Sequence, residues 1–239
     1  MLTLTGTERV PRWPYVPFAI LTVVHLYGQA AGDVAVADWT KTWLMLALLL
    51  AFLISAPRSN WLAIALGATA LVGSGLGDNS DLGGSEFLRG LGAFAVAHLS
   101  YIVLFSWGLG LRPRNAAKWT LLYVPLLIFV LSIVLPHAGG MAPAVATYAL
   151  LILTMAILGG CGNRATALGS ALFVISDSVL SLDLFVPGFH FWQIDLLIMG
   201  TYTIGQGLIV HGVVQKLRER SAVADSPISP GAEGAYVPK

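Results

Sequence analysis

The fold is decided by stretches such as Trp119 to Leu135, which reads WTLLYVPLLIFVLSIVL and holds no charged residue. A bilayer hydrocarbon core ~30 Å thick needs ~20 apolar residues from each spanning helix, and fewer where aromatic or basic side chains anchor its ends. Such a run lacks the alternating polarity of a barrel strand, and lipid satisfies no backbone polar group, so it must be helical. Only 10% of the chain is charged, against ~25% in soluble domains. The sequence therefore predicts an integral membrane protein.

The rest of the chain divides on the same length scale into eight apolar segments separated by breaks rich in Pro, Gly, Asp and Arg. The predicted spans are Val16 to Ala31, Trp43 to Ala56, Trp61 to Leu76, Phe87 to Leu109, Trp119 to Leu135, Ala142 to Gly160, Ala165 to Leu182 and Trp192 to Val214. We therefore predict an all-α, polytopic bundle of eight transmembrane helices over residues 16–217. A short segment, residues 1–15, precedes it, and residues 218–239 form a small, polar, disordered tail.

The basic residues predict the orientation of the bundle, because cytoplasmic loops collect Lys and Arg. With eight spans, one side of the membrane receives Arg9, Arg12, Arg58, Arg112, Arg114, Lys118, Arg164, Lys216, Arg218 and Arg220, and the other receives Lys41 and Arg89. Both termini are then cytoplasmic, in a cell membrane (plasma or inner). A signal peptide cleaved after Ala35-Val36-Ala37 is the less favoured interpretation of the first segment, because its spacer is long and polar.

Composition and motifs exclude several classes of function. The net charge is +1 and no basic block lies within the spans, which disfavours nucleic-acid binding. The single cysteine, Cys161, permits no internal disulfide. No two histidines lie three to five residues apart, and no Gly-x-Ser-x-Gly elbow is present. We therefore expect neither a metal or other cofactor nor serine catalysis.

Two aspartates at the spans are the strongest candidates for chemistry, because ionisable groups in lipid are costly and usually face a cavity or a partner. Asp177 lies inside the apolar run of the seventh span, with no charged residue within one helical turn. It is either a functional group or a packing carboxyl bonded to a neighbouring hydroxyl. Asp78 closes the third span after Gly73-Ser74-Gly75-Leu76-Gly77 and is either a site residue or part of a solvated loop.

Further polar residues fall at the same depth as the aspartates. On helices, His98 and Tyr101 share a face, as do Tyr202 and Gln206. Tyr148 lies in the sixth span, and Lys41 precedes the second at its outer boundary. Helical rise places all of these in the outer half of the membrane. The sequence therefore predicts one polar cavity there, to which six helices contribute.

The residues around the two aspartates resemble those of the YhhN family of membrane proteins, which includes the lysoplasmalogenases. One stretch is Gly77-Asp78 followed by Phe87 to Tyr101, FLRGLGAFAVAHLSY, similar to the family pattern Phe-x2-Gly-x3-Phe-x3-His-x2-Tyr. The other is Gly169 to Ser178, GSALFVISDS, similar to its Ser-Asp-Ser helix, with Tyr202 and Gln206 following. The likeness covers about residues 18–214.

This resemblance implies hydrolysis of the vinyl ether bond of a lysoplasmalogen, with a lysophospholipid as the substrate and the bilayer as its surroundings. Such a site needs a protonated carboxylic acid and a carboxylate that activates water. Deeper burial makes Asp177 the expected acid and leaves Asp78, nearer water, as the base; the reverse assignment stays open. Lys41 is expected to meet the phosphate, and His98, Tyr101, Tyr148, Tyr202 and Gln206 to line the substrate site. The alternative function is a carrier or lipid-binding protein that uses the same cavity.

Overall fold

The structure, a computed structural model, describes residues 10–80, 84–111 and 116–224. Within these ranges all regular structure is helical, which confirms the predicted all-α class. The α-helices are α1 (Val16–Ala31), α2 (Val34–Ser55), α3 (Trp61–Asp78), α4 (Gly84–Val103), α5 (Ala116–Val134), α6 (Ala142–Gly160), α7 (Arg164–Phe185) and α8 (Ile194–Ala224). A π-helical turn, Leu104–Gly108, extends α4, and short 3-10 turns lie at Trp13–Tyr15, Leu135–His137 and Gly139–Met141.

Each predicted span corresponds to one of these helices. Among the described residues, seven helices, α2 to α8, are long and apolar enough to cross a membrane. The first helix has 16 residues and is not one of the seven. The side of the membrane on which the termini lie stays a prediction.

The second helix begins earlier than predicted, at Val34 rather than Trp43. Gly32 ends α1 with a φ of 71°, a left-handed backbone conformation that suits glycine. Asp33 then caps α2, because its carboxylate accepts a hydrogen bond of 3.1 Å from the Val36 amide. Lys41 therefore lies inside α2, about two turns from its start, and does not precede the helix as the sequence suggested.

The last helix also extends further than predicted. It continues to Ala224, so residues 218–224 of the predicted tail are helical. The Arg218 side chain donates a hydrogen bond of 2.9 Å to the Ser55 carbonyl at the end of α2, which holds this extension against the bundle. The remainder of the predicted tail, residues 225–239, and residues 1–9 of the N-terminal segment lie outside the described residues.

Glycines allow close approach between the helices that carry the two candidate aspartates. A Cβ at Gly169 of α7 would lie 2.6 Å from the Gly205 carbonyl oxygen of α8, and one at Gly73 of α3 would lie 2.9 Å from the Ala93 carbonyl oxygen of α4. Small residues at such contacts let membrane helices pack backbone against backbone. The positions of α7 and α3, and hence of Asp177 and Asp78, depend on these contacts.

A Gly169→Leu variant should destabilise the protein, because the new side chain overlaps the α8 backbone. Overpacking of this kind costs about 1–3 kcal/mol, and the midpoint of thermal unfolding in detergent should fall accordingly. Gly92→Leu is the matched control, because Gly92 on α4 is exposed and has no atom within 4 Å of its Cβ position. Equal midpoints for the two variants would contradict a tight α7 to α8 contact.

Candidate active site

A cavity of about 440 Å³ opens into one end of the bundle, where α1, α3 and α7 end and α2 and α8 begin. We call it the polar cavity. Five of the predicted site residues line it: Lys41 of α2, Asp78 of α3, Tyr148 of α6, Asp177 of α7 and Tyr202 of α8. Two carboxyl groups a hundred residues apart in the chain therefore converge on one space, as the sequence analysis predicted.

Asp78 is the last residue of α3 and is buried, with 8% of its surface exposed. The Tyr202 hydroxyl donates a hydrogen bond of 2.9 Å to its Oδ2 atom. The neighbouring Gly77 faces the ring of Phe94, which occupies the space that a side chain at this position would need. Lys41 and Asp177 line the same cavity as the Asp78 carboxyl.

Asp177 lies in the middle of α7 and is half-buried. The Tyr148 hydroxyl donates a hydrogen bond of 2.7 Å to its Oδ2 atom. The preceding residue, Ser176, donates from its hydroxyl to the Ile198 carbonyl at 2.9 Å, which fixes this turn of α7 against α8. The expectation that Asp177 is the more deeply buried aspartate was wrong. At the end of α3, Tyr202 bonds Asp78 and the ring of Phe94 lies against Gly77.

A row of aromatic rings connects the two tyrosines that donate to the aspartates. Tyr148 contacts the His98 ring edge to face at 5.3 Å between centroids, His98 contacts Phe173 at 4.9 Å, and Phe173 contacts Tyr202 at 5.5 Å. His98 Nδ1 lies 2.6 Å from the Phe94 carbonyl oxygen, which can only accept. The ring is therefore assigned with its hydrogen on Nδ1. The row holds both hydroxyls in fixed orientations.

The other three predicted site residues lie beneath the polar cavity and do not line it. Besides His98, these are Tyr101 and Gln206, which are buried together. The Tyr101 hydroxyl donates to Gln206 Oε1 at 2.7 Å, and Gln206 Nε2 donates to the Ser74 hydroxyl at 3.0 Å. These bonds join α4, α8 and α3 one turn below Tyr202. The geometry gives these residues a supporting position rather than direct access to a bound molecule.

Sequence reasoning missed the contribution of α1 to the cavity wall. His25 and Gln29, four residues apart on one face of α1, both line the polar cavity. His25 Nδ1 lies 2.9 Å from the Thr40 hydroxyl oxygen and 3.0 Å from the Ala37 carbonyl, which ties α1 to α2. The spacing of two polar residues within an apolar span was the available signal.

The charge on the polar cavity is mostly acidic. Among the described residues its wall includes one Lys or Arg, Lys41, and five aspartates: Asp33, Asp38, Asp78, Asp177 and Asp195. Within that same part of the chain, no three His, Cys, Asp or Glu side chains form a group that could hold a metal ion. The groups available for chemistry in the cavity include carboxyls, phenols, an imidazole and one ammonium.

Comparison with known proteins fits this geometry. The model of the YhhN family matches residues 36–213, which include both aspartates and both of their tyrosine partners. The chain belongs to the YhhN family. The matched residues do not include α1, on which His25 and Gln29 lie.

The chain is also similar to curated proteins named lysoplasmalogenase TMEM86B. The chain is 35% identical to that of Homo sapiens over 144 residues, which make up 59% of each chain. It is 32% identical to that of Sus scrofa over 154 residues, 61% of this chain and 62% of the relative. The match thus spans about three-fifths of the length of these relatives. No solved structure is significantly similar to the chain.

Tyr101 and Gln206, which lie beneath the polar cavity, should be energetically coupled. Tyr101→Phe removes the hydroxyl and Gln206→Leu removes the amide, so each variant breaks the same buried hydrogen bond. A double-mutant cycle should therefore give a coupling energy of about 1 kcal/mol. The free energy of unfolding, measured by denaturant titration in mixed micelles, checks this value. Tyr27→Phe, at an exposed tyrosine of α1, is the control. Strictly additive effects at positions 101 and 206 would contradict the proposed contact.

Proposed function

We propose that this protein is a membrane-embedded hydrolase that cleaves the vinyl ether bond of lysoplasmalogen-type lysophospholipids. The products are a fatty aldehyde and a glycerophospho-headgroup. The observation that carries this proposal is the convergence of Asp78 and Asp177 in one cavity, each with a tyrosine hydroxyl on its Oδ2 atom. The names of the curated relatives support the same reaction.

The chemistry of a vinyl ether suits a pair of carboxyl groups. Hydrolysis begins with proton transfer to the vinyl carbon farther from the oxygen, which leaves an oxocarbenium ion. Asp177, as a neutral acid, supplies that proton from the oxygen that Tyr148 does not bond. General acid catalysis of this type contributes ~10²–10⁴-fold to a rate.

Asp78 is the group that completes the reaction. Its carboxylate stabilises the cation and accepts a proton from the water that attacks the carbon next to the ether oxygen, as in glycoside hydrolysis. The resulting hemiacetal returns a proton to Asp177 as its carbonyl forms, and the glycerol oxygen leaves with the proton held by Asp78. Both carboxyls then regain their starting states.

Asp177→Asn and Asp78→Asn should each lower aldehyde release from a lysoplasmalogen by about 10²–10⁴-fold. Each variant keeps the shape of the side chain and removes its acid or base function. The assay is mass spectrometry of lipid and aldehyde after incubation with purified protein. Asp183→Asn is the matched control, because Asp183 lies on the same helix as Asp177, pairs with His190 at 2.9 Å and does not line the polar cavity.

A folded Asp177→Asn protein with normal turnover would refute its role as the acid. The carrier alternative gives a different result. A carrier would show counterflow of a solute in liposomes without product, and purified wild-type protein would release no aldehyde. Counterflow without product, or the absence of aldehyde release by the wild-type protein, would overturn the proposed hydrolase activity.

Lys41→Met should raise KM by about 10- to 100-fold and leave kcat nearly unchanged, because the ammonium is proposed to bind the substrate phosphate away from the reacting bond. A hydrogen bond to a charged group contributes about 1.5–3 kcal/mol, and loss of uniform binding appears in KM alone. Steady-state kinetics on one lysoplasmalogen measure both constants. Lys118→Met, at a lysine that stands over the Trp119 ring, is the control. A fall in kcat with unchanged KM would place Lys41 in the chemical step instead.

A further inference from the structure

A second, smaller cavity of about 70 Å³ lies between α5, α6 and α7. We call it the apolar cavity, because most of its wall is aliphatic, with side chains such as Leu126, Val130, Leu131 and Ile152. Four residues line both cavities: Val145, Tyr148, Asp177 and Ser181. The hydrogen-bonded pair of Tyr148 and Asp177 therefore stands between a polar space and an apolar one.

The apolar cavity lies at the most weakly packed helix of the bundle. Only three residues of α5 are buried: Tyr123, Val130 and Val134. They belong to two small clusters that are separate from the main core, one with Ile152, Ala156 and Val174 and one with Val145. The cavity lies between these clusters. The opposite face of α5 exposes Leu121, Ile128 and Phe129, so one helix separates the cavity from bilayer hydrocarbon.

The geometry points to the apolar cavity as the site that receives the hydrocarbon chain of the lysolipid, next to the reacting bond. This inference rests on the proposed function. In a vinyl ether lysolipid, the reacting bond is the point where the hydrocarbon chain meets the polar part of the molecule. A site for it therefore needs an apolar space and a polar space that meet at the catalytic group. Tyr148 and Asp177 are at such a junction.

The same placement assigns the roles of the two aspartates. With the chain in the apolar cavity and the headgroup in the polar cavity, the chain-side vinyl carbon lies against Asp177, which lines both spaces. Asp78 lines only the polar cavity, where water and the ether carbon are accessible. Proton transfer to the chain-side carbon therefore comes from Asp177, and activation of water belongs to Asp78.

The size of the apolar cavity predicts that it discriminates between chains. Its wall runs along α5 from Tyr123 to Leu131, a rise of about 12 Å at 1.5 Å per residue. The volume of about 70 Å³ holds only the methylenes nearest the reacting bond, so a chain of several carbons makes contacts with this wall which a very short chain does not make. The ratio of kcat/KM for a long alkenyl chain to that for a short one therefore reports on occupancy of the cavity.

The test changes the volume of the apolar cavity in both directions. Ala149→Phe fills it from α6, next to Tyr148, and should lower the long-to-short ratio of kcat/KM by about tenfold, since one methylene in a fitted pocket can change discrimination by about that factor. Leu131→Ala enlarges it at the far end and should raise the ratio. Leu150→Phe, an exposed neighbour of Ala149 on the lipid-facing side of α6, is the matched control and should leave the ratio unchanged. The substrates share one headgroup and differ only in alkenyl chain length.

A labelling experiment separates failure of this inference from failure of the proposed function. A lysolipid analogue with a stable alkyl ether and a photoreactive group in its chain should crosslink to α5 and α6 of the wild-type protein and lose these crosslinks in Ala149→Phe. The chain site alone would be overturned if Ala149→Phe and Leu131→Ala release aldehyde with an unchanged long-to-short ratio of kcat/KM. Crosslinks confined to other helices would also overturn it. Crosslinks at α5 and α6 without aldehyde release would keep the chain site and overturn the hydrolase activity.

Discussion

Two tyrosine hydroxyls that donate to two aspartates are the interactions on which the structure of the site depends. A carboxyl group inside an apolar bundle is unfavourable unless its oxygens have hydrogen-bond partners. Tyr202 satisfies Asp78 across the contact between α8 and α3, and Tyr148 satisfies Asp177 across the contact between α6 and α7. Each bond joins neighbouring helices, so the groups needed for chemistry also fix the arrangement of the bundle.

The distances in these bonds are set by packing rather than by the polar groups themselves. Glycines at the α7 to α8 and α3 to α4 contacts bring backbones together, and the edge-to-face row from Tyr148 through His98 and Phe173 to Tyr202 orients the phenols. The bond between Tyr101 and Gln206 supports this row from below. A preorganised site of this kind does not need to reorganise when charge develops during a reaction.

The sequence was sufficient to predict the helices and the meeting of the two aspartates. That prediction rested on span length, on apolar composition and on the depth of Lys41, Tyr148 and Tyr202 in helices of alternating direction. It could not rank the burial of Asp78 and Asp177, because the side chain of Tyr202 reaches Asp78 from a distant part of the chain. It also placed Lys41 outside its helix, since the cap formed by Asp33 is a local feature that hydropathy does not register.

A similar limit applies to the residues beneath the polar cavity. Helical spacing placed His98 and Tyr101 on one face of α4 and Tyr202 and Gln206 on one face of α8. The structure shows the same arrangement. Spacing alone does not determine which end of a face reaches open space. His98, Tyr101 and Gln206 lie a turn deeper. Tyr101 bonds Gln206 between α4 and α8, whereas His98 bonds the Phe94 carbonyl of its own helix.

The wall formed by Tyr148 and Asp177 has a consequence for what happens after bond cleavage. The two proposed products differ in solubility: the fatty aldehyde partitions into hydrocarbon and the glycerophospho-headgroup into water. Because the proposed chain site adjoins the thin α5 barrier to the bilayer and the headgroup site opens at the end of the bundle, each fragment has its own exit. Departure in opposite directions would keep the pair from recondensing and make turnover effectively one-way.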